Sequence, residues 1–230
     1  MKKIDQLFLN LYLIVAVAHL FSIVTESETI REITKYLLMP LLMLHVYFGF
    51  RNAFRMILPL LTTLFFCWMG DIVLLYSNRN ENYFLIGLAA FLLGHIFYII
   101  SFNKYVIHLR SLIRRKPWII IFPLIYSASV VIILYAYLGD MKIPVIAYSA
   151  VITLMGISAI NRFGRTNLYS FIFVLCGAVF FMISDTLIAI DKFYLPIESG
   201  SLLIMFTYIV AQFLIISGLR LHLKQIAHGN

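Results

Sequence analysis

The 230-residue sequence predicts an all-α, polytopic membrane bundle of eight transmembrane helices, and three observations carry that prediction. Hydrophobic residues make up 63% of the chain and charged residues only 12%, well outside the balance of a water-soluble domain. The charges fall between apolar runs about as long as a bilayer is thick, where roughly 20 helical residues cross about 30 Å of hydrocarbon. Lysine and arginine also concentrate in alternate loops, as expected of a chain that threads back and forth through a membrane.

The runs follow in order at 7–24, 33–49, 56–76, 83–101, 118–138, 143–160, 168–190 and 201–221. The first comes after Lys2 and Lys3, but no small-residue cleavage site follows it and seven further runs do, so it reads as a retained span. The second carries Lys35 in its opening turn, and the third carries Asp71 near its end. The fourth holds His95, beside Gly94, and Tyr98; the fifth follows the basic group Arg114, Arg115 and Lys116. The seventh holds Asp185, and the eighth Tyr208 and Gln212. No loop is long enough for a soluble domain, so residues 1–230 read as one integral membrane domain whose functional groups come from helices and their ends.

Thirteen of the 18 lysines and arginines lie at the N-terminus (Lys2, Lys3), in loops two (Arg51, Arg55), four (Lys104, Arg110, Arg114, Arg115, Lys116) and six (Arg162, Arg165), or at the C-terminus (Arg220, Lys224). The opposite side holds Arg31, Lys35, Arg79, Lys142 and Lys192. The positive-inside rule then places both termini in the cytoplasm, which requires an even number of spans and locates the chain in the cytoplasmic membrane. The net charge of +8 becomes a topology signal with anionic lipid as its partner, and neither nucleic acid nor an obligate protein partner is indicated.

Asp71 and Asp185 are the strongest pointers to function, because a membrane helix seldom keeps a carboxylate without using it. They echo one another. Phe66 precedes Asp71 by five residues, Phe180 precedes Asp185 by five, and the two acids are 114 positions apart, as in a duplicated four-helix unit with parallel halves 1–110 and 111–230. Both acids lie about five residues before their helices leave the outer face, roughly 7 Å inside the boundary at 1.5 Å per residue. Lys35, Tyr208 and Gln212 enter from the same outer side and His95 stands at about mid-depth, so six polar groups on five helices are expected to line one outward-opening cavity.

Other residues read more plainly. Cys67 and Cys176, inside spans three and seven, are expected to be buried packing thiols outside any disulfide framework. His19 and His45 read as packing or interfacial residues, whereas His108, His222 and His228 belong to cytoplasmic segments. Tyr12, Trp118, Tyr137 and Tyr194 read as interface markers, and Glu198 as a residue of the last outer loop, solvent-facing or gating. There is no glycine-rich phosphate loop, no paired-cysteine spacing and no His-Glu-x-x-His, so neither cofactor nor metal is expected.

Five stretches together resemble the YhhN family of eight-span membrane proteins, which includes the mammalian lysoplasmalogenases. They are KYLLMPLLM at 35–43, GDIVLLY at 70–76, FLLGHIFYIISF at 91–102, GAVFFMISDTLIAI at 177–190 and YIVAQFLIISG at 208–218. Tyr36 stands where many members have a proline. The resemblance implies hydrolysis of the vinyl ether bond of a lysoplasmalogen, with a lysophospholipid and water as reactants, and points to Lys35, Asp71, His95, Tyr98, Asp185, Tyr208 and Gln212. In that reading Asp71 and Asp185 supply acid and base, His95 and Tyr208 hold protons and orient water, and Lys35 meets the substrate phosphate. Tyr98 and Gln212 add contacts, and Phe66, Phe91 and Phe180 wall the alkyl chain. The same two acids suit a proton-coupled transporter, which would move substrate across sealed vesicles without a chemical product.

Overall fold

The computed structural model describes residues 2–77, 79–104, 106 and 111–228, without the side chains of Lys2 and His228. Arg110 and His108, used in the charge and histidine readings above, lie outside the described residues. Among the described residues the regular structure is helical throughout, with no strand. The contacts divide the chain into two compact units, Met1–Ser101 and Phe102–Asn230.

The first unit is built from α1 (Lys2–Val24), α2 (Glu28–Phe50), α3 (Phe54–Leu75) and most of α4 (Glu81–Asn103). Helix α1 packs along α2, and α2 along α3. Two histidines staple α1 to α2: His19 Nδ1 lies 2.8 Å from Thr34 Oγ1, and His45 Nδ1 donates to the Asp5 carbonyl at 2.6 Å. His19 and His45 are therefore packing residues, as the sequence suggests. Pro40 lies inside α2 and has no N–H, which frees the Tyr36 carbonyl one turn earlier. In a membrane that carbonyl needs another donor, and Trp68 Nε1 on α3 supplies it at 3.0 Å. The Tyr36 and Tyr76 hydroxyls meet at 2.8 Å and close the same helix pair near its end.

Helix α4 approaches α3 at small residues. A Cβ on Gly70 would lie 2.6 Å from the Phe91 ring, and one on Gly94 3.1 Å from Cys67 Sγ. Phe66 and Phe97 stack with centroids 5.7 Å apart. Such close contact suits membrane helices, where packing has to replace the hydrophobic drive that lipid cannot provide.

The second unit holds α5 (Leu112–Arg115), α6 (Ile121–Leu134), α7 (Lys142–Ile160), α8 (Leu168–Phe193) and α9 (Gly200–His228). Pro117 opens a 3-10 turn, Pro117–Ile120, that leads into α6, and Pro123 and Pro144 fall in the first turns of α6 and α7, where a missing N–H costs no helical bond. Asn167 caps α8 by accepting from the Ser170 N–H at 2.6 Å. The most intimate pairing in this unit is α8 with α9. A Cβ on Gly177 would lie 2.9 Å from the Ala211 carbonyl oxygen, and one on Gly218 2.9 Å from that of Ser170. Ser170 Oγ donates to the Gly218 carbonyl at 2.6 Å and Ser184 Oγ to that of Ile204 at 3.0 Å, tying the pair at both ends.

Seven helical segments among the described residues are long and apolar enough to cross a bilayer. The second of them, Glu28–Leu75, runs 48 residues, or about 72 Å if straight. It is not straight: Phe50 (φ −138°, ψ 27°) and Ala53 (φ −123°, ψ 39°) leave helical geometry around a 3-10 turn, Arg51–Ala53, and α2 and α3 pack on each other.

Two expectations are corrected. Cys67 is buried, but Cys176 is exposed on α8, because α9 covers the neighbouring Gly177, Ala178 and Phe181 face and a thiol costs little against lipid. Tyr12 is not an interface marker: it is fully buried in the middle of α1. Trp118, Tyr137 and Tyr194 are exposed at helix ends, the last two in edge contact at 5.0 Å. Glu198 is exposed in the turn before α9, matching its solvent-facing reading.

Candidate functional site

Each unit carries one of the two carboxylates singled out above, and each of these has tyrosine company that the sequence did not announce. In the first unit Asp71 is only 3% exposed. It lies on α3 within electrostatic range of the Lys35 ammonium of α2 and the Tyr12 hydroxyl of α1. Tyr12 in turn is in range of Tyr98 on α4, and Tyr98 of Cys67, one turn before Asp71. Lys35, Asp71 and Tyr98, three of the predicted site residues, are thus linked through Tyr12 across all four helices. His95, one turn from Tyr98 on the same side of α4, is buried completely. Phe91 is buried against Gly70 and so fixes the helix turn bearing Asp71, while Phe66 is half-buried against Phe97.

The physical logic of this cluster is compensation. An ionised carboxylate removed from water is strongly unfavourable unless a cation and hydrogen-bond donors replace its hydration, and an ammonium with a phenol provides both kinds of group. Gly70 contributes locally, since its missing side chain leaves room for the Phe91 ring of α4 against the turn that bears Asp71.

In the second unit Asp185 accepts a 2.6 Å hydrogen bond from the Tyr148 hydroxyl of α7. Around that bond α6, α7 and α8 leave a cavity of about 50 Å³. Its polar lining also includes Tyr126, Ser127, Ser149 and Thr186; its apolar lining includes Val130, Ile152 and Met182. Tyr126 and Thr186 hydroxyls meet at 2.8 Å, and Ser127 bonds Ser149 across α6 and α7. The adjacent Ser184 points to α9, so successive residues of α8 serve different neighbours. Tyr208 and Gln212 are buried on α9, with the Tyr208 ring edge-on to Phe181 at 5.5 Å. Phe180 is half-buried on α8.

Tyr12 and Tyr148 are the residues that sequence reasoning missed. A faint signal for the second exists: α6 and α7 each carry a Tyr-Ser pair in an apolar run, Tyr126-Ser127 and Tyr148-Ser149, and the structure places both pairs on one cavity. Tyr12 has no such mark beyond being a lone tyrosine in an apolar span. Among the described residues, no three His, Cys, Asp or Glu side chains come together in a metal-binding arrangement.

Apolar helices of membrane-spanning length, with polar side chains gathered around Asp71 and Asp185, define a polytopic α-helical membrane protein with acids inside its helices. The profile of the YhhN family matches residues 30–219, and the chain belongs to that family. It is similar to a protein named lysoplasmalogenase TMEM86A from Homo sapiens, with 28% identity over 172 residues that cover 73% of this chain and 67% of the relative. The protein of the same name from Bos taurus is 31% identical over 156 residues, 66% of this chain and 61% of the relative. No solved structure matches the chain.

Proposed function

We propose that this chain is a lysoplasmalogenase: it hydrolyses the vinyl ether bond of a lysoplasmalogen in the membrane, using Asp71 and Asp185 as its carboxylates. The observation that carries the reading is the Lys35, Asp71, Tyr12 and Tyr98 cluster buried in apolar helices, in a family whose relatives are named for that activity. The reaction needs a proton delivered to the β-carbon of the vinyl ether, which leaves an oxocarbenium ion at the carbon bearing oxygen. Water adds there, giving up its proton, and the hemiacetal collapses to a fatty aldehyde and glycerophosphoethanolamine or glycerophosphocholine. One carboxyl group that gives the proton, and one carboxylate that faces the cation and takes the proton of water, meet these demands without a metal or cofactor.

The remaining roles belong to the same proposal. Lys35 and Gln212 hold polar parts of the lysolipid, Tyr208 and His95 orient water or the ether oxygen, and Phe66, Phe91 and Phe180 accommodate the alkyl chain. The reading includes eight crossings of the cytoplasmic membrane with both termini inside, supported by the return of the chain at Arg51–Ala53 and by the basic loops.

The test is aldehyde release by detergent-purified protein from a lysoplasmalogen, beside its saturated ether analogue. Aldehyde is expected from the vinyl ether alone. Flux of lysolipid across sealed vesicles with no aldehyde would make the chain a transporter instead. A second expectation concerns Tyr148, whose 2.6 Å bond to Asp185 is charge-assisted when the acid is ionised. Tyr148→Phe keeps the ring and removes the donor, so turnover should fall about 10- to 100-fold, the equivalent of roughly 1.5–3 kcal/mol, with the thermal midpoint little changed. Wild-type turnover in that variant would separate Tyr148 from catalysis.

A further inference from the structure

At the loop end of the second unit, away from both carboxylates, three guanidinium groups stand close together. Arg162, just after α7, is 1% exposed and heads the fully buried side chains by size. Its Nη1 donates to the Phe102 carbonyl at 2.9 Å and its Nη2 to Ser170 Oγ at 2.9 Å, while Nε is buried with no hydrogen-bond partner. Arg165, also buried, lies within electrostatic range of Arg162, and Arg114 of α5 within range of Arg165. Ser111 Oγ, donating to Asn161 Oδ1 at 2.7 Å, fixes the α5 segment to the α7–α8 turn.

The acids of this unit stand far from Arg162 in sequence. They are Asp140, Asp185, Asp191 and Glu198, all toward the other ends of α7, α8 and α9, and no Asp or Glu occurs between Glu81 and Asp140 or between Asp140 and Asp185. Among the described residues, the groups that act on Arg162 include no carboxylate. Burial, and then the neighbouring Arg165 charge, lowers its pKa to about 10, so the guanidinium stays cationic at neutral pH. The N-terminus of the 26-residue α8, capped by Asn167, starts at the same place, and its macrodipole adds positive potential. A buried cation reinforced by two more cations and a helix N-terminus is strongly unfavourable unless an anion joins it.

We propose that Arg162, Arg165 and Arg114 form an anion site that takes a phosphate group, carried by an anionic membrane lipid or present as free phosphate. Guanidinium forks match phosphate oxygens in pairs, and a helix N-terminus offers N–H groups to the same ligand. Basic pockets between membrane helices on the cytoplasmic side are suited to lipid headgroups, and the charge asymmetry assigns these loops to that side. Arg165 and Arg114 lie nearer the surface and contact the phosphate, while Arg162 anchors the turn and adds charge from behind. The site is separate from the proposed hydrolysis and does not rest on it.

The test uses the full chain, purified and delipidated in a neutral detergent, with the thermal midpoint followed by intrinsic fluorescence. Inorganic phosphate, phosphatidylglycerol mixed micelles, phosphatidylcholine mixed micelles and matched chloride are added in turn. A ligand at a hundredfold excess over its dissociation constant should raise the midpoint by about 5 °C or more. A shift with phosphate and with phosphatidylglycerol identifies the phosphate group itself; a shift with phosphatidylglycerol alone identifies a lipid headgroup. The Arg114→Gln/Arg165→Gln double variant should lose most of either shift. Equal midpoints in all four additions, or a double variant that responds like the parent, overturns the site. Native mass spectrometry of the parent protein gives a readout that does not depend on the variant folding: bound phosphatidylglycerol or phosphate supports the site, and its absence at saturating addition overturns it.

Discussion

Asp71→Asn is expected to reduce aldehyde release from a lysoplasmalogen by at least about 10²- to 10⁴-fold, the range contributed by a positioned acid or base. Asparagine has nearly the same shape and still hydrogen-bonds, but it can neither carry the charge nor exchange the proton. The structure raises a rival explanation, because Asp71 is also within electrostatic range of the Lys35 ammonium, and removing it takes that stabilising charge away from a cation inside the membrane. The double variant Asp71→Asn/Lys35→Met separates the two. If Asp71 acts in proton transfer, the double variant regains thermal stability but not turnover. If it regains turnover as well, Asp71 is a counter-ion for Lys35 and the acid must be sought elsewhere. Asp185→Asn should show a comparable loss, with the Tyr148 hydroxyl still able to donate to the amide oxygen and hold the side chain in place. Turnover preserved in either single variant ends the proposal that both carboxylates work in the reaction.

Gly177→Leu is expected to prevent stable folding of the second unit, and Gly177→Ala to lower the thermal midpoint by several degrees. The reason lies in what a side chain would meet. A Cβ at this position stands 2.9 Å from both the Ala211 carbonyl oxygen and the Ile215 amide nitrogen, so backbone atoms of α9, rather than a flexible side-chain tip, would have to move. Overpacking of this kind typically costs about 1–3 kcal/mol for small additions. Forcing α8 and α9 apart would also lengthen the Ser184 to Ile204 and Ser170 to Gly218 hydrogen bonds, which have no water to replace them inside a bilayer. The adjacent Cys176→Ala is the control: Cys176 is exposed on the same helix, and the change should leave the midpoint where it was. A midpoint unaffected by Gly177→Ala would mean that α8 and α9 do not cross as closely as the glycine contact requires.

Much of the framework was legible in order along the chain. The apolar runs appear as helices close to their predicted bounds, with α9 continuing past 221 to His228 and the apolar part of the fifth run closing at Leu134. Lys35, Asp71 and Tyr98 stand out by their place in apolar sequence; in the structure Lys35 and Tyr12 lie within electrostatic range of Asp71, and Tyr12 of Tyr98. Tyr12 was read as an interfacial aromatic because tyrosine is common there, and only the packing of α1 against α2 revealed it beside Asp71. Arg162 was counted as one more cytoplasmic loop charge, although its side chain is buried beneath Phe102 and Ser170.

The sequence by itself therefore determined that this chain is an all-α membrane protein, where its helices lie, and which carboxylates are held inside them. Those are properties of local composition, since transfer of a helix or a charge into hydrocarbon is governed chiefly by the residues in that stretch. Tertiary structure alone decided which face of each helix turns inward, and so which tyrosine meets which aspartate. In water an amphipathic pattern marks the buried face, but here both the lipid and the protein interior are apolar, and the helix sequences carry little record of their own rotation. The rotation is set by where glycines let backbones approach and where a freed carbonyl finds a donor, as at Gly177 with Ala211 and at Tyr36 with Trp68.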